Sequence, residues 1–506
     1  MRSSPVLLRI MVDRMKNNGH HTHGFLSPVN IPINGKLIAG SLLLAILLLI
    51  PALWNGYPLV YSDTGTYIQS GHDLKVPMDR PIGYGLFLRY TSMLWLSLWF
   101  PIIVQACLVT IMIIRTWIAV FGKLDWPSLL MLTLLLSIGT AAGWHGGRLQ
   151  PDIFTSLAIL AILLQYFTRP GKWATAFDLG LIVLAGITHL SNIPVSIALL
   201  ITLLPHALFV RTRTPKKAIV RLLFPLAAIA TSLLLLIVIN FGIDRKPVIG
   251  GGGHVFLIGR LIDAELLQPW LDQDCRTHDH FLCAQREAIP STSAQLLWWD
   301  NSPMNSNGGW NAVRDESNAM LGRFFNEPEN LLAFIIAGIT DTGKQLLLWG
   351  LDHEMISQWY RDPGSPPSTA IRNVVPHELQ AYFGSLQNGG RGELRMEEID
   401  LLHYSILIAS IISGLFLVLR AMQRRIPASQ MYFLFYLITG IVLAAGCGAA
   451  LSIPDQRFLA KVSWLLPFGV AAISFAHYRS KQLVRSDPKI NVPPADHPAP
   501  SRPHAG

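Results

Sequence analysis

The chain has 506 residues, of which 51% are hydrophobic and only 14% are charged. Because an ordinary water-soluble chain carries roughly 25% charged residues, this composition excludes that class and indicates that lipid is the solvent of much of the surface. The formal net charge of +9 does not indicate nucleic acid as a partner, since most Lys and Arg flank apolar runs instead of forming a basic stripe with interleaved aromatic residues.

The apolar residues lie in uninterrupted runs of about membrane-spanning length, which predict an all-α fold, a polytopic transmembrane helical bundle of about ten spans. The predicted spans are, in chain order, 37–54, 94–114, 126–143, 153–168, 176–190, 193–210, 222–241, 402–419, 430–452 and 459–477. Seven of them form a first membrane module over residues 37–241, and three follow over residues 402–477. A polar, proline-rich composition predicts that residues 478–506 are a disordered tail.

The distribution of basic residues predicts the orientation of these spans. If both termini are cytoplasmic, the cytoplasmic segments, including the N-terminal tail of residues 1–36, hold 22 Lys and Arg, whereas the short outer loops, counted together with Lys461 at the start of the last span, hold 6. The remaining 12 lie in the long segment 242–401, which the positive-inside rule does not cover. Because cytoplasmic loops carry the excess of Lys and Arg, the N- and C-termini are predicted to be cytoplasmic.

Residues 242–401 are long enough to fold as a large extracytoplasmic loop domain, in which a helix is predicted over His254–Leu267. The run Leu331–Leu348 is apolar enough to be considered a further span, but it contains Asp341 and Lys344. A crossing there would also invert the orientation of everything downstream. We therefore expect an amphipathic helix that lies on the membrane or packs within the loop domain.

Two cysteines of this segment, Cys275 and Cys283, flank His278 and His280, which gives four potential zinc ligands. Their spacing matches no established zinc motif. A local disulfide is the favoured interpretation, because the predicted location allows an oxidising compartment.

The predicted orientation places the unusual polar residues of the membrane module on one face. The first outer loop contains Tyr57-Pro-Leu-Val-Tyr61-Ser-Asp63-Thr-Gly-Thr-Tyr67 and Arg80-Pro-Ile-Gly-Tyr84, the second contains His145-Gly-Gly-Arg148-Leu-Gln-Pro-Asp152, and the last contains Pro454-Asp455-Gln-Arg457-Phe458. These loops are expected to meet at the outer membrane boundary. They supply the candidate site residues.

Three of these residues are candidates for catalysis: Asp63, Asp152 and His145. A carboxylate near the headgroup level, such as that of Asp63, can deprotonate a hydroxyl or hold a divalent cation, whereas a turn residue is the alternative. Asp152 follows Pro151 and could instead cap the next helix. The short loop that carries Asp152 also holds His145 and Arg148, so an acid, an imidazole and a cation come together there.

Five residues are candidates for substrate binding: Arg80, Arg148, Arg457, Tyr67 and Tyr84. A guanidinium group gives a forked, charge-assisted contact to a phosphate at the headgroup level. Snorkelling toward lipid headgroups is the ordinary alternative for such an arginine. Arg457 is favoured as a phosphate ligand because its loop is so short.

This layout of positions resembles the GT-C superfamily of polyprenyl-phosphate-dependent glycosyltransferases, which includes the protein O-mannosyltransferases and the aminoarabinose transferases. Members of that superfamily carry an acid shortly after the first span, as Asp63 does here, a second acid in the next outer loop, as Asp152 does, and an Arg beside an aromatic residue in a late, short outer loop, as Arg457 does. Thr64 follows Asp63 where the commonest pattern has a second acid. A divalent cation (Mg or Mn) therefore stays an open alternative.

The resemblance implies a membrane glycosyltransferase that moves a sugar, with inversion, from a polyprenyl-phosphate or polyprenyl-diphosphate donor to an acceptor on the extracytoplasmic face. The acceptor would be a glycan, a lipid or a protein, and a bacterial inner membrane is the expected location. Asp63 would act as general base or orient the acceptor, Asp152 and His145 would assist, and Arg457 and Arg80 would neutralise the phosphate of the leaving lipid.

Two other functions fit a chain of this kind. An oligosaccharide polymerase or ligase would depend more on Arg391, Arg395 and His377 of the long outer segment than on Asp63. A multi-span transporter or lipid flippase would need ionisable residues deep within the spans, where the sequence offers few.

Overall fold

A computed structural model describes residue 26 and residues 34–210, 215–351, 355 and 358–486, with side chains up to residue 478. The predicted N-terminal tail is described only at Leu26 and residues 34–36. The predicted disordered tail, 478–506, lies outside the described residues from residue 487 onward, and its first part was predicted wrongly, because residues 478–486 continue the last helix. The described residues are mainly helical, and their extended backbone pairs at one isolated bridge, between Leu59 and Arg148.

The first half of the chain forms helices that are mostly apolar and are joined by short connections. They are α1 (Gly35–Leu48), α2 (Ile50–Asn55), α3 (Thr64–Asp73), α4 (Gly83–Thr91), α5 (Trp99–Phe121), α6 (Trp126–Gly139), α7 (Ala141–Gly146), α8 (Ile153–Phe167), α9 (Lys172–Thr188), α10 (Asn192–Pro205) and α11 (Pro215–Asp244). A π-helical turn over His206–Val210 extends α10.

The second half begins with short, polar helices and ends with long, apolar ones. They are α12 (Gly253–Asp263), α13 (Leu267–Asp274), α14 (Phe281–Ala284), α15 (Ser293–Trp298), α16 (Pro303–Ser306), α17 (Arg314–Asn326), α18 (Pro328–Gln345), α19 (Pro366–Val374), α20 (Leu379–Phe383), α21 (Met396–Met422), α22 (Ala428–Leu451), α23 (Gln456–Ser463) and α24 (Leu465–Ser486). Three 3-10 turns, Arg286–Ala288, Gln358–Arg361 and Pro376–Glu378, connect some of them.

Six described helical segments are long and apolar enough to cross a membrane, so the fold is all-α with several membrane-spanning helices. They are Trp99–Phe121, Asn192–Val210, Pro215–Asp244, Met396–Met422, Ala428–Leu451 and Gln456–Tyr478. The helices α1, α6 and α8 are apolar but shorter, and α9 carries Lys172 and Asp178. All ten predicted spans coincide with helices, and the number that cross the membrane stays a prediction beyond these six.

Helix boundaries differ from the predicted ones where the backbone turns. The second predicted span begins at residue 94, but α5 begins at Trp99. Met93, Leu94 and Trp95 have φ angles of 56°, 56° and 74°, so a left-handed turn precedes the helix. The predicted helix over 254–267 also ends too late, because Glu265, with φ of 57°, separates α12 from α13.

The run at 331–348 is not among the six spanning segments, and forms most of α18. This helix lies against α22. Gly338 of α18 lies beside Ala450 of α22, and Gly446 of α22 lies beside Thr342 of α18. Asp341, one of the two charged residues that argued against a span, accepts an ion pair of 2.7 Å from buried Arg260 of α12. The helix α18 thus packs against the bundle helix α22 and pairs with α12, and its placement relative to the membrane stays a prediction.

Residues 242–401 do not share one hydrophobic core. A separate cluster of buried apolar side chains, from Val255 to Phe324, includes Trp270, Met304 and Trp310. By contrast, the apolar residues of α19 and α20 belong to the same cluster as the long helices. The second part of this segment is therefore packed onto the bundle, and it contacts the connection between α2 and α3, where Gln387 Nε2 donates to the Val60 carbonyl at 2.8 Å.

Candidate functional site

The connection between α2 and α3 and the connection between α7 and α8 are joined by backbone hydrogen bonds. The Leu59 N–H donates to the Gly147 carbonyl at 3.0 Å, and the Leu149 N–H donates to the Leu59 carbonyl at 2.8 Å. The Thr64 hydroxyl donates to the Leu149 carbonyl at 3.1 Å. Because these bonds align the two connections, the acids that end them, Asp63 and Asp152, come to the same end of the bundle.

Each of these acids stands just before a helix, yet neither caps it. Asp63 precedes α3 and Asp152 precedes α8, and neither side chain makes a capping hydrogen bond. Thr64 instead forms the turn, accepting from the Tyr61 N–H at 2.9 Å. The ordinary alternatives of a turn role for Asp63 and a capping role for Asp152 therefore do not account for their carboxylates.

Arg457, at the start of α23, joins the two carboxylates. Its Nε donates to Oδ2 of Asp152 at 2.7 Å, and its Nη1 donates to Oδ2 of Asp63 at 3.0 Å. The Asp455 side chain caps α23 by accepting from the Arg457 N–H at 2.8 Å. The short last connection thus fixes the guanidinium group between residues that are far away in the chain.

Arg80 supplies a second guanidinium group on the other side of Asp63. Its Nη1 lies 2.8 Å from Oδ1 of Asp63, and Asp79 also pairs with it. The guanidinium carbon lies 5.1 Å from the centre of the Tyr67 ring. Each oxygen of Asp63 is therefore engaged by a different arginine.

The two predicted tyrosines form an aromatic wall behind this pair. Tyr67 and Tyr84 meet edge to face, with ring centres 4.8 Å apart. The Tyr84 hydroxyl donates to Oε1 of Gln105 at 2.7 Å, which is a contact within the protein. Tyr67 lies beside the charged groups, and Tyr84 packs against Tyr67.

Arg148 and Arg457 lie on the same aromatic ring. The guanidinium carbons of Arg457 and Arg148 are 4.6 Å and 5.4 Å from the centre of the Tyr61 ring. Arg148 is fully buried, and its Nη1 donates to Oε1 of Gln150 at 3.0 Å. Its carbonyl accepts from Gln105 Nε2 at 2.9 Å. Tyr61 therefore places a third cation next to the two that contact Asp63.

The deeper part of the site holds His145 and Lys461. Both are buried, and neither ring nitrogen of His145 has a hydrogen-bond partner among the residues that the structure describes. Lys461 lies one helical turn after Arg457, with its Nζ 3.7 Å from Oδ1 of Asp152. The site thus has an outer layer in which Asp63, Arg80 and Arg457 keep 20%, 12% and 12% of their side chains exposed, and an inner layer around Asp152.

The charges of the site determine the protonation of its acids. Burial alone would raise the pKa of Asp63, but Arg80 and Arg457 outweigh burial and lower the pKa below the ordinary value of 3.8. The pKa of Asp152 is lowered in the same way against burial, by Arg457 and then Lys461. Burial, together with Arg148, holds the pKa of His145 well below 6.5. Both acids are therefore ionised, and His145 is neutral, at pH 7.

The arrangement does not fit a divalent cation between the acids. A hard cation such as Mg²⁺ requires carboxylate oxygens that are open to it. Both oxygens of Asp63 and one oxygen of Asp152 already lie within 3.0 Å of guanidinium nitrogens. The carboxylates of Asp63 and Asp152 therefore serve as partners of arginine and not as ligands of a shared cation.

The cysteine and histidine cluster lies elsewhere and is joined as a disulfide. Cys275 and Cys283 are bonded, in agreement with the favoured interpretation. His280 lies beside them, and its Nε2 is 3.1 Å from Oδ2 of Asp274. In this state the two sulfur atoms are bonded to each other instead of to zinc.

All eight predicted site residues lie in one region of the structure, while two others were not predicted. Lys461 contributes only to the count of basic residues in the sequence analysis. Its spacing of four from Arg457 could have indicated that the two cations share one face of a helix. Tyr61 was quoted within its motif and given no role. Comparisons with protein-family models, with curated proteins and with solved structures found no match, so the function is argued from this geometry.

Proposed function

We propose that the chain is an integral membrane glycosyltransferase that moves a sugar from a polyprenyl-phosphate or polyprenyl-diphosphate donor to an acceptor on the extracytoplasmic face. The observation that carries the proposal is that Arg457 joins Asp63 and Asp152 at one end of a membrane-type helical bundle. A lipid-linked donor suits this place because its tail can stay among the apolar helices while its head enters a polar site.

The proposed topology has about ten spans with cytoplasmic termini. It places the ends of α2, α5, α8 and α23 that surround the site at the outer boundary of a bacterial inner membrane. The exposed apolar side chains of the long helices support contact with lipid, because helices such as α21 display Ile408, Ile412 and Leu415 outward. Residues 242–401 would then form the outer region of the protein.

Arginine side chains would bind the donor phosphate. Arg457 and Arg80 reach the surface of the site with part of their side chains exposed, and planar guanidinium groups bind phosphate oxygens in pairs. During transfer the bond between the anomeric carbon and the phosphate oxygen breaks, and its electron pair stays on the lipid phosphate. Arginines placed beforehand around this growing charge lower the barrier, typically by a few kcal/mol for each donor group.

Asp63 would accept the proton of the acceptor hydroxyl. The acceptor oxygen forms the new bond to the anomeric carbon from the face opposite the phosphate, and its proton passes to an Asp63 oxygen. A carboxylate held by two arginines is a weak base. When the donor phosphate draws these guanidinium groups toward itself, Asp63 becomes more basic, so donor binding would prepare the acceptor step. Asp152 would hold Arg457 in position before the donor binds, and neutral His145 would orient polar atoms of the sugar head.

The experiment that tests the proposal is transfer from a radiolabelled lipid-linked sugar by the purified, full-length protein in proteoliposomes. A library of polyprenyl-phosphate and polyprenyl-diphosphate sugars would be offered with a membrane extract as acceptor. Formation of a glycosidic product that is lost in Asp63→Asn would support the proposal. Donor that remains intact across the library, with the donor bound no better than the free polyprenol, would overturn it.

The first alternative, a polymerase or ligase of lipid-linked oligosaccharides, has weaker support from the positions of its residues. Arg395 pairs with Glu398 at the surface, and His377 contacts the Leu96 carbonyl at 3.0 Å. Arg391 lies against Gly56, just after α2. Glycosidic transfer is compared between alanine variants of Arg391, Arg395 and His377 and the Asp63→Asn variant, and this comparison separates the two functions.

A transporter or flippase is the second alternative, and one observation favours it. Asp178 of α9 is fully buried and pairs with Arg115 of α5, with Nη2 to Oδ2 at 2.7 Å, and Gln165 donates to the same oxygen at 2.6 Å. The expectation of few ionisable groups within the spans overlooked this pair. Substrate uptake into proteoliposomes without a glycosidic product, and its loss in Asp178→Asn, would establish transport instead.

A further inference from the structure

Lys461 is a buried cation to which the proposed reaction gives no role. Its side chain is only 3% exposed, although it lies on the same face of α23 as Arg457, one turn further along. Its Nζ lies 5.3 Å from the centre of the Phe458 ring. Removing an ammonium group from water is costly unless a partner compensates it, so the position of Lys461 needs a physical reason.

The partner of Lys461 among the described residues is Asp152, and the two stand slightly apart. Oδ1 of Asp152 lies 3.7 Å from Nζ, which is beyond hydrogen-bond distance, whereas Oδ2 lies 2.7 Å from Nε of Arg457. Asp152 itself is 1% exposed. A single buried carboxylate therefore has one cation in close contact and a second one about 1 Å farther away.

We propose that Lys461 is a standby counter-ion for Asp152, which takes over this carboxylate when Arg457 turns to the phosphate of a lipid phosphate ligand. This inference rests on the proposed function, because it takes a lipid phosphate as the ligand. Lys461 is then a positioning residue that acts through Asp152 and does not touch the phosphate.

The geometry makes such an exchange possible with little movement. Nε of Arg457 carries a single N–H and donates it to Oδ2 of Asp152, so a phosphate that takes a forked contact through Nε displaces Asp152. Release would leave Asp152 buried without a close cation, which typically costs several kcal/mol. A lysine has a flexible stem, and a shift of about 1 Å would bring Nζ to ordinary hydrogen-bond distance from Oδ1.

Neither His145 nor Arg148 replaces Lys461 in this role. Burial and Arg148 keep the pKa of His145 well below its ordinary value, so that imidazole carries no positive charge at neutral pH. Arg148 lies over Tyr61 and donates to Gln150. Lys461 is the described cation, apart from Arg457, that pairs with Asp152.

The test is a double-mutant cycle on ligand binding, with geranyl phosphate as the probe and the full-length protein in detergent. Binding is measured by calorimetry for the wild type, Lys461→Met, Asp152→Asn and the double variant. Geraniol and inorganic phosphate are the comparison ligands. Lys461→Arg tests rescue by a longer cation, and Lys344→Met, a lysine with 65% of its side chain exposed, is the matched control.

We expect Lys461→Met to weaken geranyl phosphate binding about tenfold, and the same substitution to change it less than about twofold when Asp152 is already Asn. Lys461→Arg should keep most of the affinity, and Lys344→Met should keep all of it. The readout is an interaction between two sites, which a purely structural loss at Lys461 would not produce. Lys461→Gln takes the place of the methionine variant if that variant does not fold.

Two results overturn the inference while leaving the proposed function standing: an unchanged affinity in Lys461→Met, or an equal loss with and without Asp152. Equal binding of inorganic phosphate and geranyl phosphate would overturn the lipid as the source of the phosphate. If the wild type binds geranyl phosphate no better than geraniol, the phosphate ligand itself is wrong and the proposed function fails together with the inference.

Discussion

Arg457 and Asp63 are 394 residues apart in the chain, and an ion pair of 3.0 Å joins them. The same guanidinium group holds Asp152, which is 305 residues away from it. One cation therefore pairs with two acids, partly exposed Asp63 between α2 and α3 and buried Asp152 between α7 and α8. Because the three groups share their charges, a change in one should alter the energy of the other two.

Replacement of Arg457 tests this coupling through stability. Arg457→Met should lower the free energy of unfolding by about 3–5 kcal/mol, because it leaves buried carboxylates with fewer cations. Thermal unfolding of the detergent-solubilised protein measures the loss. Adding Asp152→Asn to this variant should restore part of the stability, since the unpaired charge is then gone. If the loss of unfolding free energy in the double variant equals the sum of the losses in the two single variants, the coupling is contradicted.

Asp63→Asn tests the proposed base separately from folding. The amide keeps the size of the side chain, but it accepts no proton, so transfer from a labelled lipid-linked sugar should fall by about 10²–10⁴-fold. Asp73→Asn, at the other end of α3 and exposed, is the matched control and should retain transfer. A rate within about threefold of the wild type in Asp63→Asn would remove this residue from the chemistry.

Much of the fold could be predicted from the sequence because its solvent is lipid. Runs of apolar residues long enough to cross a membrane form helices with few alternatives, and all ten such runs are helical in the structure. The placement of the run at 331–348 is harder to predict. It depends on an ion pair between Asp341 and Arg260, which lies about eighty residues earlier. Periodicity within a segment carries no information about a partner at that distance.

The candidate site shows the same limit. The positions of Asp63, Asp152 and Arg457 at the ends of apolar runs indicated one face of the protein. What holds them together, the hydrogen bonds of Leu59 to the backbone near Arg148, has no sequence signature, because any residue can supply those backbone groups. The pairing of Lys461 with Asp152 likewise needs the fold, since α23 must first pack beside α8.

His145 should make stability depend on pH. Its pKa in the folded protein lies well below 6.5, so the unfolded chain binds the proton more readily. The stabilising contribution is fully present above pH 6.5 and is lost as the pH falls toward the folded pKa, by up to about 1.4 kcal/mol for each pH unit. His145→Gln should reduce the change in unfolding free energy that is measured between pH 7 and pH 5. An unchanged slope would show that His145 is not buried as a neutral group.

The proposed topology can be tested with the native cysteines. Cys275 and Cys283 form a disulfide, whereas Cys107 and Cys447 are free thiols within long helices. In sealed vesicles with the periplasmic side outward, a membrane-impermeant maleimide should label two cysteines only after mild reduction, and Cys275→Ser/Cys283→Ser should abolish this labelling. Inverted vesicles are the matched control and should stay unlabelled. Labelling of inverted vesicles instead would place residues 242–401 in the cytoplasm and end the outer-face proposal.

Glu378 should anchor the first connection to the outer segment. Its carboxylate is mostly buried and accepts from the Tyr57 hydroxyl at 2.7 Å, the Ser97 hydroxyl at 2.6 Å and the Leu98 N–H at 3.2 Å.

Glu378→Gln replaces one acceptor oxygen by an NH₂ donor, which leaves a buried hydroxyl unsatisfied and should cost about 1–3 kcal/mol of unfolding free energy. Glu393→Gln, at an exposed ion pair with Arg361, should change stability by less than about 1 kcal/mol. Because Tyr57 precedes Asp63 by six residues in the same connection, the loosened anchor should also weaken geranyl phosphate binding. Thermal unfolding and calorimetry on the same variant decide this: lost stability with unchanged binding would show that the connection holds its shape without Glu378.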